Sequence, residues 1–112
     1  MNIVSENRDG VLLVRPEGRI DTRTAGDFEK SVMGLMDTTD QPVKVLMDFG
    51  ALDYINSTGM RVLLILAKRL SATSGKLVLC GLREHIVEVF SISGFNQILT
   101  ITETEAEALE RL

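Results

Sequence analysis

The 112-residue chain contains no tryptophan, one tyrosine and four phenylalanines. So few aromatic rings provide little material for stacking nucleic-acid bases. Its 16 acidic residues outnumber its 12 basic ones, and the resulting formal net charge of -4 has the wrong sign for binding phosphate backbones. We therefore predict that nucleic acid is not a partner.

The residues of metal and disulfide chemistry are also scarce, since the chain has one cysteine and one histidine. Cys80 has no partner for an internal disulfide, which weakly favours a reducing compartment, and its apolar surroundings predict a buried small side chain. His85 has no second histidine or cysteine at metal-ligand spacing. We expect no metal site and no cofactor.

Long apolar runs are missing as well. No stretch approaches the ~18 consecutive apolar residues that span a bilayer, and the N-terminus lacks the basic flank and apolar core of a secretion signal. We expect no membrane insertion and a cytoplasmic location. Because 45% of the residues are hydrophobic, and no linker, repeat or low-complexity tract interrupts them, residues 1–112 are expected to form one globular domain.

Strand and helix patterns alternate along the chain after an opening hairpin, which covers residues 3–14 and turns at Asp9-Gly10. Further strands are predicted at residues 43–48, 76–81 and 99–101. A first helix is capped by Asp21 or Thr22 and breaks at residues 38–42, and a second runs from Thr58 to about residue 72. Two shorter helices follow, one ending near residues 93–94 and one starting at residues 102–105.

This order predicts an α/β fold with a mixed sheet of four to five strands and about four helices. Apolar spacing also predicts which side chains of the last two helices face the core. These are Ile86, Val87, Val89 and Phe90 in the third helix, and Ala106, Leu109 and Leu112 in the fourth.

The most informative segment joins the strand at residues 43–48 to the helix that begins at Ser57 or Thr58. These hydroxyls can cap the free N–H groups of the first helical turn, and such a junction accommodates a phosphate. Gly59 removes a side chain beside that turn, so another backbone or a nucleotide can approach closely. Two interpretations are open: the hydroxyls only cap the helix, or a partner binds and modifies them.

The element order and three short motifs resemble the STAS domain of bacterial anti-sigma-factor antagonists. The most specific motif lies at residues 48–60, DFGALDYINSTGM, and is similar to a family pattern of strand end, turn and Asp/Asn-Ser-Ser/Thr-Gly-Leu. Weaker matches are GRID at residues 18–21 and FSISGF at residues 90–95. The resemblance spans nearly the whole chain and implies a single STAS domain over residues 1–112.

The resemblance implies an anti-sigma-factor antagonist that is controlled by phosphorylation. Ser57 occupies the position of the phosphorylated serine, and Thr58 is the alternative acceptor. In the implied cycle, the unmodified domain binds an anti-sigma factor that is also a serine kinase, and this frees a sigma factor. Phosphorylation ends the binding, and a PP2C-like phosphatase removes the phosphate.

Partner-binding residues are expected around this acceptor at Asp21, Asn56, Ser57, Thr58, Gly59, Met60 and Arg61. Met60 is expected to be an exposed contact. Asn56 departs from the aspartate found in many phosphorylated members, so it keeps hydrogen bonding without the charge. Arg61 replaces a residue that is frequently small, and its cation favours an acidic partner or retains the phosphate.

An alternative is a STAS module that serves as a non-switching scaffold, or as an accessory subunit of a lipid or anion transport complex. In that case the Ser57 hydroxyl is not used chemically. We do not expect an enzyme, because a serine nucleophile needs a positioned base, His85 is the only histidine, and no G-x-S-x-G elbow presents the serine. Asn56-Ser57-Thr58 also matches the glycosylation sequon, which we interpret as accidental.

Charge explains how such a switch can act. A phosphoserine carries about -1.5 to -2 charges at neutral pH, and a helix N-terminus favours anions by roughly 0.3–2 kcal/mol. An interface fitted to a neutral hydroxyl is instead weakened by this charge. We therefore predict that phosphorylation changes binding without changing the fold.

Overall fold

The computed structural model describes residues 1–40 and 43–112, so the predicted helix break at residues 38–42 lies partly outside the described part. In chain order, its helices and strands are β1 (Asn2–Arg8), β2 (Val11–Ile20), α1 (Ala25–Asp37), β3 (Lys44–Asp48), β4 (Leu52–Ile55), α2 (Ser57–Ala72), β5 (Lys76–Cys80), α3 (Glu84–Ser93), a 3-10 helix (Phe95–Gln97), β6 (Thr100–Ile101) and α4 (Glu105–Arg111).

The sheet has six strands in the described residues and is mixed, which confirms the predicted α/β class with a slightly larger strand count. Its order is β1-β2-β3-β5-β6, and β4 pairs with β2 outside this path. β1 and β2 are antiparallel, whereas the other pairs are parallel. Asp9 (φ 52°) and Gly10 (φ 81°) form the predicted hairpin turn, since both adopt the positive φ that a tight type I′ turn requires.

β2 pairs with β3 along its first part and with β4 at its end. Residues 11–14 of β2 pair with β3, whereas Gly18, Arg19 and Ile20 pair with β4. The register shifts between Gly18 and Arg19, where Asp53 is the extra residue on β4. Gly18 has a φ of 90°, a conformation that other residues rarely adopt. The end of β2 therefore lies beside β4 and the start of α2.

Apolar side chains cover both faces of the sheet. On one face, the larger cluster packs α1, α2 and α3 against the strands, with buried anchors such as Phe28, Leu63, Leu66 and Phe90. On the other face, α4 covers a smaller cluster of Val11, Leu13, Leu46, Val78, Cys80 and Ala108. β3 and β5 therefore contribute side chains to both clusters, as expected for strands with continuous apolar runs.

The predicted inner faces of α3 and α4 were partly wrong. In α3, Ile86 and Phe90 are buried, but Val87 and Val89 are 44% and 37% exposed. In α4, Ala106 and Leu109 are exposed and Ala108 is buried in their place, whereas Leu112 packs against the smaller cluster as predicted.

Ion pairs lie on the same side of α4 as its packed residues. Glu105 forms ion pairs with Arg8 Nη1 at 2.9 Å and with Arg15 Nη2 at 3.5 Å. Arg15 also pairs with Asp48 of β3 at 3.4 Å. Residues three and seven positions after Glu105 share its side of the helix. Ala108 and Leu112 therefore face the sheet, and the sequence pattern of α4 alone does not contain this long-range constraint.

No helix within residues 1–40 and 43–112 has both the length and the apolar character needed to cross a membrane.

Cys80 is 1% exposed, as predicted for a buried small side chain, and burial raises the pKa of its thiol from 9.0 to about 11. Because the thiolate is the reactive form, a shift of this size reduces its fraction about 100-fold. We predict that iodoacetamide at pH 8 alkylates the folded protein at least about 100-fold more slowly than the denatured protein. Mass spectrometry over a time course measures both rates.

The control combines Cys80→Ala with Ser71→Cys, which places the single thiol at an exposed position near the end of α2. This variant should react at similar rates in both states. Equal rates for native and denatured wild type would show that Cys80 is accessible and contradict its assignment to the core.

Candidate functional site

The start of α2 is held against the end of β2 by a close backbone contact. Asn56 N–H donates to the Ile20 carbonyl oxygen at 3.1 Å. A Cβ placed on Gly59 would lie 2.9 Å from that same oxygen and 2.7 Å from Ile20 Cγ2. Of the two predicted uses of Gly59, close approach of a backbone or of a nucleotide, the structure shows the first.

Asn56 caps α2, so the prediction that Ser57 or Thr58 supplies the cap was wrong. The Asn56 Oδ1 atom accepts a hydrogen bond from the Gly59 N–H at 3.2 Å. The extended backbone of Asn56 is also typical of an N-cap residue. The helix begins at Ser57, which places both hydroxyl residues inside its first turn. The capping interpretation of the Ser57 hydroxyl is therefore excluded.

The two hydroxyls differ in their surroundings. Thr58 Oγ1 lies 3.4 Å from Thr22 Oγ1, and Thr22 Oγ1 also accepts from Asn56 Nδ2 at 3.3 Å. Ser57 is exposed, and its hydroxyl has no hydrogen-bond partner among residues 1–40 and 43–112. Thr58 is thus engaged with the β2–α1 loop, whereas Ser57 is available to an incoming group.

Asp21 shapes this loop. Its Oδ1 accepts from the N–H groups of Arg23 at 3.0 Å and Thr24 at 3.3 Å, while Thr24 Oγ1 accepts from Asp21 N–H at 2.9 Å. These N–H groups, that of Arg23 foremost, hold the pKa of the Asp21 carboxyl below its usual value. α1 begins at Ala25 with Thr24 as its N-cap, so the prediction that Asp21 or Thr22 caps the helix was wrong. Asp21 instead orders the turn before the helix.

Arg19 and Tyr54 form a pair that the sequence did not reveal. They are register neighbours on β2 and β4, and the Arg19 guanidinium lies 4.1 Å from the centroid of the Tyr54 ring. Arg19 Nε also reaches Asp21 Oδ2 at 3.5 Å. The pair depends on β4, a four-residue strand that is too short to show a clear period and for which the sequence therefore predicts a loop.

The β3–β4 turn is fixed from the side of α3. Arg83 pairs with Asp53 at 2.5 Å and donates to the Gly50 carbonyl oxygen at 3.2 Å, while His85 Nε2 lies 2.6 Å from the Asp53 carbonyl oxygen. His85 is therefore hydrogen-bonded to the main chain of β4. In the part of the chain that the structure describes, no group of three or more His, Cys, Asp or Glu side chains is placed to hold a metal ion.

Met60 is 2% exposed, so the prediction of an exposed Met60 contact was wrong. Its side chain joins the main apolar cluster, because the position after Gly59 faces the sheet. Gly59 is also buried, whereas Arg61 is exposed. The surface available at this junction, which we call the α2 start, consists of Thr22, Asn56, Ser57, Thr58 and Arg61.

The cap assignment gives a direct test by comparing two neighbouring substitutions. Asn56→Ala removes the N-cap acceptor and should lower the free energy of unfolding by about 1 kcal/mol. Ser57→Ala removes a hydroxyl that makes no hydrogen bond within the described residues and should change it by less than about 0.5 kcal/mol. Urea denaturation monitored by circular dichroism measures both. A larger loss for Ser57→Ala would mean that Ser57 has a structural role after all.

Gly59→Ala tests the close contact with Ile20. Alanine is intrinsically the better helix former by about 1 kcal/mol, but its methyl group would overlap the Ile20 carbonyl. We expect a net loss of stability of about 1–3 kcal/mol. Gly34→Ala in α1 is the matched control, because a Cβ there meets nothing within 4 Å, and it should be stabilising. A neutral or stabilising Gly59→Ala would contradict the contact.

Comparison with known proteins gives a family match over nearly the whole chain. The model of the STAS domain matches residues 2–108. BtrV of Bordetella bronchiseptica, provisionally assigned as an anti-sigma factor antagonist, is 36% identical over 108 residues, which cover 96% of this chain and 91% of that protein. The anti-sigma F factor antagonist of Paenibacillus polymyxa is 26% identical over 112 residues, covering 100% of this chain and 95% of that protein.

Solved structures share the fold at lower identity. A provisionally assigned anti-sigma factor antagonist of Thermotoga maritima has a TM-score of 0.87 at 22% identity, covering 97% of this chain and 92% of that one. Unphosphorylated SpoIIAA has a TM-score of 0.78 at 20% identity, with coverage of 98% and 95%. Phosphorylated SpoIIAA from Bacillus has a TM-score of 0.68 at 20% identity, with 98% of both chains covered.

Proposed function

Because this chain belongs to the STAS domain family of anti-sigma-factor antagonists, we propose that it antagonises an anti-sigma factor and that phosphorylation of Ser57 switches this binding off. One observation carries the proposal: Asn56 caps α2, which leaves the adjacent Ser57 hydroxyl exposed. The name of the Paenibacillus polymyxa relative supports the antagonist role, and the phosphorylated SpoIIAA structure supports this class of modification in the fold.

In the proposed cycle, the unmodified α2 start binds an anti-sigma factor that is also a serine kinase, and a sigma factor is released. The kinase then transfers a phosphoryl group from a bound nucleoside triphosphate. The Ser57 Oγ–phosphorus bond forms while the bond to the bridging oxygen breaks, a nucleoside diphosphate leaves, and a base of the kinase accepts the hydroxyl proton. A PP2C-like phosphatase hydrolyses the ester with water, which restores the hydroxyl and releases phosphate.

The position of Ser57 supports a modification that leaves the fold intact and weakens binding. The side chain is exposed at the first position of α2, where the phosphate displaces no core residue and the helix dipole favours an anion. At an interface fitted to a neutral hydroxyl, the same charge must be desolvated against the partner. Each 1.4 kcal/mol of this cost weakens binding about tenfold.

The test incubates the chain with ATP and each candidate serine kinase of its own genome, followed by mass spectrometry. We expect one added phosphate on Ser57 and none on Ser57→Ala, while the matched variant Thr58→Val is still modified. A phosphate on Thr58 alone would overturn the assignment of the acceptor.

The second arm of this test measures kinase affinity by calorimetry for wild type, Ser57→Ala and Ser57→Asp. We expect Ser57→Ala to bind about as well as wild type and Ser57→Asp to bind at least about tenfold more weakly. Equal affinities for all three, or no phosphate from any kinase, would contradict the switch and favour a scaffold that does not use the hydroxyl.

A further inference from the structure

One exposed stripe of α2 begins at Ser57. Ser57, Arg61, Ile65 and Lys68 are all exposed and recur at helical spacing, while the opposite side of the helix, including Leu63 and Leu66, is buried. Arg61 follows Ser57 by four positions, which places their side chains next to each other on the helix surface.

Arg61 has no anionic partner among the residues that the structure describes. Within residues 1–40 and 43–112, Arg69 pairs with Asp37 at 2.6 Å and Arg83 with Asp53 at 2.5 Å, whereas neither Arg61 nor Arg23 of the β2–α1 loop forms an ion pair. α2 itself contains no aspartate or glutamate over Ser57–Ala72. A phosphate on Ser57 would therefore be the anion nearest to Arg61 along the helix.

We propose that Arg61 binds the phosphate on Ser57. The inference rests on the proposed modification of Ser57 and adds how it acts: phosphorylation introduces an anion and at the same time withdraws the Arg61 cation from the docking surface. The order along the helix suits such a pair, because an anion four positions before a cation is the favourable arrangement. The guanidinium fork also matches phosphate oxygens in a bidentate geometry.

The partner that this arrangement fits has an acidic surface opposite Arg61. In the unmodified chain, the first turns of α2 carry the single positive charge of Arg61. A phosphate of about -1.5 to -2 charges reverses the sign of this region. An acidic partner then no longer contacts a free Arg61 cation and instead faces the phosphate anion. Both effects weaken binding.

The test uses protein with phosphoserine installed at position 57 by genetic-code expansion, so no kinase is required. Titration followed by ³¹P NMR reports the second pKa of the phosphate, which is about 6 without a partner. We expect Arg61→Gln to raise this pKa by roughly 0.2–0.4, the shift that corresponds to an exposed ion pair at this spacing. The difference should shrink at high salt.

Lys68→Gln is the matched control, because it removes one exposed cation from the same stripe at a distance of about 16 Å along the helix. It should titrate like the phosphorylated wild type. Arg23→Gln tests the loop cation that follows Thr22. No shift for Arg61→Gln, or a shift as large for Lys68→Gln or Arg23→Gln, would overturn the assignment to Arg61.

These outcomes are separate from those of the proposed function. If no kinase modifies Ser57 but Arg61→Gln raises the phosphate pKa, the pair forms and the switch is wrong. If kinases modify Ser57 and weaken binding but Arg61→Gln has no effect, the switch is right and Arg61 is not its phosphate receptor.

Discussion

The site depends on the contact between Gly59 and the Ile20 carbonyl. That oxygen accepts a hydrogen bond from the Asn56 N–H, and a Cβ on residue 59 would overlap it. The first turn of α2 therefore packs directly against the end of β2. This brings Thr22 within reach of Asn56 and Thr58. Ser57, between those two residues, is left facing outward. Gly59 therefore permits the close packing in which Ser57 is exposed.

The electrostatics of the α2 start favour the gain of an anion. Asn56 caps the helix with a neutral amide, whereas an aspartate there would place a negative charge beside an incoming phosphate. α2 has no acidic residue, and Arg61 forms no ion pair in the described part of the chain. The Asn56 cap therefore supports the helix, whereas the Ser57 hydroxyl and the Arg61 cation are exposed. In the proposed switch, a phosphate on Ser57 would change the charge of this surface without removing the cap.

Much of the architecture was predictable from the sequence because its signals are local. The turn at Asp9-Gly10, the buried Cys80 strand and the junction before Ser57 each follow from residue types within a few positions. The strand β4, the exposure of Val87 and the rotation of α4 were missed. β4 is defined by its pairing with the end of β2, and the side of α4 that packs is shared with ion pairs to Arg8 and Arg15. Such contacts join distant residues and leave no periodic trace in the sequence.

Whether phosphorylation alters the surface and preserves the fold is tested by comparing ¹⁵N–¹H spectra before and after the phosphate is attached to Ser57. We expect chemical-shift changes confined to the α2 start, the β2–α1 loop and the Arg61 side chain. The Gly59 N–H should still donate its hydrogen bond to Asn56. Widespread chemical-shift changes in β3 and β5, or loss of the hydrogen bond from the Gly59 N–H to Asn56, would show that the modification rearranges the fold. Either result would refute a switch that acts through surface charge alone.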